Sequence, residues 1–238
     1  MFGINVDSER FDRAGKPEVI LAEGKTIEEI VYSTKELLNK CGRVMITRVY
    51  EEAFNAIRDE FRNFVVIENR RAKVCAVFKK GEYEKWEKQL SKRDVDVVIL
   101  SAGTSDIPVA EEASFTAEFL GMKVEKFYDV GVAGLHRLKK PIECIRSSKA
   151  VAVIVVAGME GALPSVVAGL VDKPVIAVPT SNGYGVALKG FTALFSMLLS
   201  CPSGVAVVNI DNGFGAAVFA YTIWRVREDA LNRYREEI

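Results

Sequence analysis

Histidine is almost absent from this chain: His136 stands alone among 238 residues. That excludes most His-based metal sites and every mechanism that needs two imidazoles. Cysteine is scarce too. The four, at 41, 75, 144 and 201, are too far apart for any CxxC pair, so neither a zinc knuckle nor a disulfide framework is indicated, and they read as reduced thiols. Net charge is missing as well. Lys+Arg and Asp+Glu are 32 each, leaving no electrostatic footprint for nucleic acid or an anionic membrane. No apolar run reaches the roughly 18 uninterrupted residues of a membrane span, and the opening MFGINVDSER lacks the apolar core of a signal peptide. The expectation is a cytoplasmic protein whose acid–base work falls on carboxylates, Lys, Cys or the single His.

What is present divides unevenly. The first 93 residues hold 19 of the basic residues but only 5 of the 18 glycines, which predicts two units meeting near Ser91–Asp94. In the first, residues 1–25 have clustered charge and no clear period and read as an extended arm. Its Arg10, Arg13 and Lys16 are either contacts to a substrate or second subunit or a solvated cluster. Over 26–93 a small α/β unit is expected: Thr26 capping a helix through Ile27, Ile30, Val31, Leu37 and Leu38, then strands VMITRV, VVIEN and KVCAVFK around the helix EEAFNAIRDEF. Residues 94–238 alternate more regularly. VDVVIL, MKVEKFY, AVAVIVVA, PVIAVP and GVAVVNI are near-continuous apolar strands separated by helix-length segments. They predict a flavodoxin-like, three-layer parallel sheet with its ligand site at the carboxyl ends of the strands.

Four glycine-bearing polar loops follow these strands: SAGTSD, AGMEGALPS, PTSNGYG and NIDNGFG. Glycine lets backbone amides approach a ligand, and hydroxyls and helix N-termini supply donors for an anion. Any one such loop is equally an ordinary turn, but four on one edge point to a site. Neither GxGxxG nor GxxxxGK[ST] occurs. Gly103, Thr104 and Ser105 are candidate phosphate contacts, and Asp106 is either a ligand acceptor or a helix N-cap. From the other loops Met159, Gly161, Thr180, Ser181, Asn209, Asp211, Asn212 and Gly213 are candidate substrate contacts. Between Lys149 and Ile223 only six residues are charged, and two of them, Glu160 and Asp211, lie in these loops. A carboxylate there can hold a substrate hydroxyl, move a proton or share magnesium with phosphate. Asp129 closes a turn or contributes a polar site group, His136 is a structural residue or a substrate contact, and Arg137 suits phosphate or carboxylate. Cys201 enters the last strand. A free thiol is most often an inert buried hydrophobe, and that end of a strand is far from the ligand loops unless the chain folds back or a neighbouring subunit contributes.

SAGTSDIPVAEEA and VVAGMEGALPSVVAGLVDKPVIAVP resemble the phosphate loop and glycine-rich loop of the phosphoribosylaminoimidazole carboxylase (PurE-type) family. Ala162 stands where that family has a catalytic histidine. FDRAGKPEVILAEGKT, YDVGVAGLHR, VAGMEGALPSVVAGL, PTSNGYG and SCPSGVAVVNIDNGFGAA are similar, in that order, to the LarB family of nickel-pincer cofactor biosynthesis proteins. That resemblance implies carboxylation of the pyridinium ring of nicotinic acid adenine dinucleotide at C5, with hydrolysis of its phosphoanhydride. The products would be pyridinium-3,5-biscarboxylic acid mononucleotide and AMP. It implies Cys201 as covalent nucleophile, with Glu160 as first candidate base, then Asp106 and His136. Carbon dioxide or bicarbonate is the expected co-substrate, with magnesium as an expected cofactor and a homo-octamer built from dimers as the assembly. The other readings are a purine-pathway carboxyaminoimidazole ribonucleotide mutase and a non-catalytic nucleotide-binding module.

Overall fold

The computed structural model describes residues 3–236, which divide into two compact units, one ending at Lys92 and the other starting at Arg93. In the first, α1 (Arg10–Ala14) and β1 (Ile20–Leu21) precede α2 (Ile27–Cys41), β2 (Arg43–Thr47), α3 (Glu51–Glu60), β3 (Val65–Asn69), β4 (Val74–Phe78) and α4 (Lys80–Ser91). The sheet order is β1-β2-β4-β3, with β1 parallel to β2 and the other pairs antiparallel.

α2 starts where its sequence signal lies. Thr26 Oγ1 accepts from Glu29 N, Glu29 Oε2 accepts from Thr26 N, and the helix ends at Gly42 in the left-handed conformation. Its buried residues Ile30, Ser33, Thr34, Leu37 and Leu38 recur at helical spacing. With Phe54 and Ile57 of α3, the apolar ones cover one face of the sheet. Residues 3–25 are not the extended arm that their pattern predicts. Ile20 pairs with Ile46 and Leu21 with Thr47, and Ile20 and Ala22 are buried in the core. A two-residue strand is too short for any period to show. Arg10 and Arg13 both pair with Asp7 at its surface.

The second unit contains β5 (Val97–Ser101), α5 (Ile107–Phe119), β6 (Val124–Phe127), α6 (Lys139–Ser147), β7 (Ala152–Ala157), α7 (Leu163–Ala168), β8 (Val175–Pro179), α8 (Phe191–Leu198), β9 (Val205–Val207) and α9 (Gly213–Glu236). All five strands are parallel, in the order β6-β5-β7-β8-β9, the flavodoxin-like arrangement. α6, α7 and α8 cover one face, where Ile142, Ile145, Val167 and Met197 meet Val98, Val153, Val155 and Ala177. On the other face α5 and α9 pack on each other and on the sheet. Ala110, Ala113 and Ala117 and Ala216, Ala217 and Ala220 are all buried there, so the two helices approach closely. The approach is tightest at Gly213, where a Cβ would fall 2.3 Å from Val109 O.

The amino-terminal edge of this sheet is clamped by one buried carboxylate. Asp96, 3% exposed, accepts from Lys123 N, Arg93 Nε and Trp224 Nε1 at 2.9, 2.7 and 3.0 Å, and Arg93 lies 4.6 Å over the Trp224 ring. The start of β5, the approach to β6 and the middle of α9 are thereby joined. Truncation of one partner leaves buried charge and donors uncompensated. Asp96→Ala is therefore expected to cost about 3 kcal/mol, read as a lower urea midpoint, and an unchanged midpoint would contradict the clamp.

Candidate functional site

In an open parallel sheet the ligand crevice lies at the carboxyl ends of the strands where the order reverses, here between β5 and β7. A cleft of about 520 Å³ lies there, lined by the loops after β5, β6, β7 and β8. Its walls are mostly small: Ala102, Gly103, Gly131, Ala133, Gly158 and Ala162. The charged lining residues are Asp106, Asp129, Arg137 and Glu160, a surplus of negative charge.

Asp106 holds two of these loops together. It is 4% exposed. Its Oδ2 accepts from Gly103 N at 2.9 Å, closing its own turn, while Oδ1 accepts from Thr180 Oγ1 at 2.7 Å and Asn182 Nδ2 at 3.1 Å. Asn182 also donates to Ser105 O. With both oxygens engaged by three donors, Asp106 acts as a brace between the loops after β5 and β8. Two glycines permit equally close approaches. A Cβ on Gly131 would lie 2.7 Å from Ala102 O, and one on Gly158 would lie 2.6 Å from both Asn182 O and Thr180 Oγ1.

Arg137 reaches the cleft from the 3₁₀ turn Val132–Leu138 and pairs with Asp129 at 3.0 Å. Asp129 has φ of +57° and Met159 +51°. Asp tolerates that left-handed region, whereas in Met159 it is strained, and such strain collects at functional loops. Met159 and Glu160 are exposed at the mouth of the cleft.

Of the residues expected from sequence, the cleft thus brings together Gly103, Ser105, Asp106, Asp129, Arg137, Met159 and Glu160. Thr180 stands behind them as a donor to Asp106. Thr104 and Gly161 lie in the same loops without lining the cleft, and a Cβ on Gly161 would meet Ala193 O at 2.8 Å. The loop after β9 is held by bonds of its own. Asn212 Oδ1 accepts from Gly215 N and caps α9, Gly213 lets α9 cross α5, Asn209 Oδ1 accepts from Ile210 N, and Asp211 Oδ1 accepts from Ser181 N. None of these lines the cleft. His136 is exposed and outside the lining. Asn182 and Tyr184, which do line it, were not singled out by sequence reasoning, although both lie in the PTSNGYG loop that was.

Cys201 is exposed on the loop that enters β9 and does not line the cleft of its own chain. Its neighbour Ser200 is tied to α7 by a 2.7 Å bond to Ser165 Oγ. By contrast Cys75 is fully buried, and burial pushes its thiol far above the ordinary range. Cys41 and Cys144 are also raised by burial. Among the described residues no group of three or more His, Cys, Asp or Glu is placed to hold a metal ion. Nor, among those residues, is any helix long and apolar enough to cross a membrane.

The family model for AIR carboxylase matches residues 96–238. The chain belongs to the AIR carboxylase family. Residues 3–80 match the LarB/PurE-like N-terminal domain. An uncharacterized protein of Methanocaldococcus jannaschii is 46% identical over 228 residues, 94% of this chain and 84% of that protein. The N5-carboxyaminoimidazole ribonucleotide mutase of the same organism is 34% identical over 148 residues, 60% of this chain and 89% of that protein. A crystal structure of Treponema denticola PurE aligns over 59% of this chain and 89% of its own, with a TM-score of 0.46 and 23% identity.

Asp106→Ala removes the acceptor of three donors. The expected result is a loss of about 2 kcal/mol, with amide hydrogen exchange accelerated together in the loops around 103–106 and 180–183. Acceleration in only one loop would show that Asp106 does not couple them.

Proposed function

We propose that the chain carboxylates the pyridinium ring of nicotinic acid adenine dinucleotide at C5 and hydrolyses its phosphoanhydride. Pyridinium-3,5-biscarboxylic acid mononucleotide and AMP are the products, and the reaction is the first step of nickel-pincer nucleotide cofactor synthesis. The observation that carries this reading over the mutase one is the cleft's chemistry. Ala162 occupies the position before Leu163-Pro164 where the mutase resemblance calls for a catalytic histidine, and the chain's one histidine is outside the lining. The LarB/PurE-like N-terminal domain supports the same choice. A cleft with three carboxylates and one arginine also favours a cationic ring bearing an anionic substituent.

A pyridinium ring is electron-poor and does not attack carbon dioxide. Addition of the Cys201 thiolate at C4 forms a C–S bond, neutralises the ring nitrogen and leaves a 1,4-dihydropyridine whose C5 is an enamine carbon. C5 then forms the C–C bond to carbon dioxide. Glu160 takes the C5 proton, the C–S bond breaks and aromaticity returns, so the thiolate leaves unchanged. The small residues and amides of the loops after β5 and β7 suit the two phosphates, and Arg137, held by Asp129, suits a carboxylate. Water supplies the oxygen that separates AMP. The proposed assembly is a homo-octamer built from dimers.

Incubation with nicotinic acid adenine dinucleotide and bicarbonate, with and without magnesium, is expected to release AMP and a substrate-derived product heavier by one carboxyl group. Conversion of aminoimidazole ribonucleotide instead, or binding with no turnover, would overturn the proposal. Cys201→Ser is expected to abolish carboxylation with dinucleotide binding retained, and unchanged turnover in that variant removes the thiol from the mechanism.

A further inference from the structure

The first unit holds a cavity of its own. It measures about 440 Å³, within the range that receives small organic ligands, and its lining runs from Ser8 to Gln89. Three stretches build it: the segment around α1, the turn that joins α2 to β2, and the face of α4 on which Glu82, Lys85, Trp86 and Gln89 recur at helical spacing. Bonds and close contacts hold these walls. Lys40 Nζ donates to Ser8 Oγ at 3.0 Å and Cys41 Sγ to Ser8 O at 3.8 Å, which fastens the segment to the end of α2. A Cβ on Gly42 would lie 2.8 Å from Glu82 Cγ, so α4 comes close to the same turn. The Trp86 ring packs 5.2 Å from that of Phe78 and 5.7 Å from that of Tyr83. Walls set before a ligand arrives lose little ordering entropy when it binds.

The chemistry of the cavity is divided by element. Phe11 lines it from α1 and Trp86 from α4. The segment around α1 adds the carboxylates of Asp12 and Glu18 and no cation, whereas the turn adds Lys40 and Arg43 and no carboxylate. On α4, Lys85 and Glu82 satisfy one another at 2.8 Å. Neither a simple anion nor a simple cation matches this division, because each would meet two charges of its own sign. The match is a planar ring for the aromatic side chains, an anionic group for Lys40 and Arg43, and hydroxyl or amino donors for Asp12 and Glu18. An aromatic amino acid has such groups, but it carries both charges on one carbon and leaves much of the volume empty. We infer that this cavity takes a nucleoside monophosphate, with the base against Phe11 and Trp86, the ribose hydroxyls on Asp12 and Glu18, and the phosphate on Lys40 and Arg43. It shares no lining residue with the cleft of the second unit, and its occupancy does not depend on the reaction proposed there.

Hydrogen exchange on the whole chain, with and without millimolar AMP, tests this without requiring turnover, so failure of the proposed carboxylation and failure of this site are told apart. AMP is expected to slow exchange over 8–18, 40–43 and 82–89, whereas AMP held in the cleft slows it in the loops around 103–106 and 158–161. Lys40→Glu reverses a charge at an exposed position and is expected to weaken binding at the first set of segments at least tenfold, with native circular dichroism. Phe11→Leu keeps apolar bulk without the ring and is expected to weaken it several-fold. Protection confined to the cleft loops would overturn the inference, as would protection over 8–18 that survives both substitutions undiminished. Slowed exchange there with phenylalanine or inorganic phosphate, and none with AMP at the same concentration, would overturn the ligand class.

Discussion

A single buried carboxylate sets the shape of the cleft. Asp106 has no cation among its hydrogen-bond partners; its donors are a backbone amide, a hydroxyl and a carboxamide drawn from two loops that are 74 residues apart in sequence. Neutral donors of this kind fix position without cancelling the charge, so the brace leaves its negative potential in the cleft. The loops it joins emerge from β5 and β8, which flank β7, and the β7 loop with Glu160 lies between them. The Cβ-free surfaces of Gly158 and Gly131 then let the β7 and β6 loops close on the braced pair. The order of strands supplies the crevice, and Asp106 with the glycines supplies its width.

The two buried aspartates of this unit divide its edges. Asp96 gathers Arg93, Trp224 and Lys123 N at the amino-terminal edge, with aromatic and guanidinium surface stacked around it. Asp106 is surrounded by small residues at the opposite edge. A carboxylate wrapped in large cationic and aromatic groups anchors helices, and one set among glycine, threonine and asparagine leaves room for a ligand. That contrast, more than burial alone, separates the structural edge from the functional one.

Sequence patterns disclose the sheet because its strands are buried on both faces. VDVVIL or AVAVIVVA can be little else in a chain of this composition. β1 gives no such signal, since two residues cannot show a period, and its placement beside β2 comes from tertiary pairing. In the site the loops after β5 and β7 were legible through GTSD and GMEG, but the loop after β9 was not. Asn and Gly serve a helix start and a tight helix crossing as readily as a ligand. Asn212 and Gly213 therefore read as contacts, and in the structure they begin α9 against α5. Asn182 went unselected because an amide beside Thr and Ser looks like turn chemistry. Its value lies in reaching Ser105 and Asp106, a long-range fact absent from local pattern.

Cys201 shows the limit of reading one chain by itself. Position in sequence argues for a buried thiol at the wrong end of a strand, and the fold agrees about the end while disagreeing about the burial, since the side chain is exposed. Cys75 shows what the inert case looks like, fully buried with its thiol pushed far from ionisation. A thiolate nucleophile needs solvent or a polar neighbour to carry its charge, and among these two sites only Cys201 offers access.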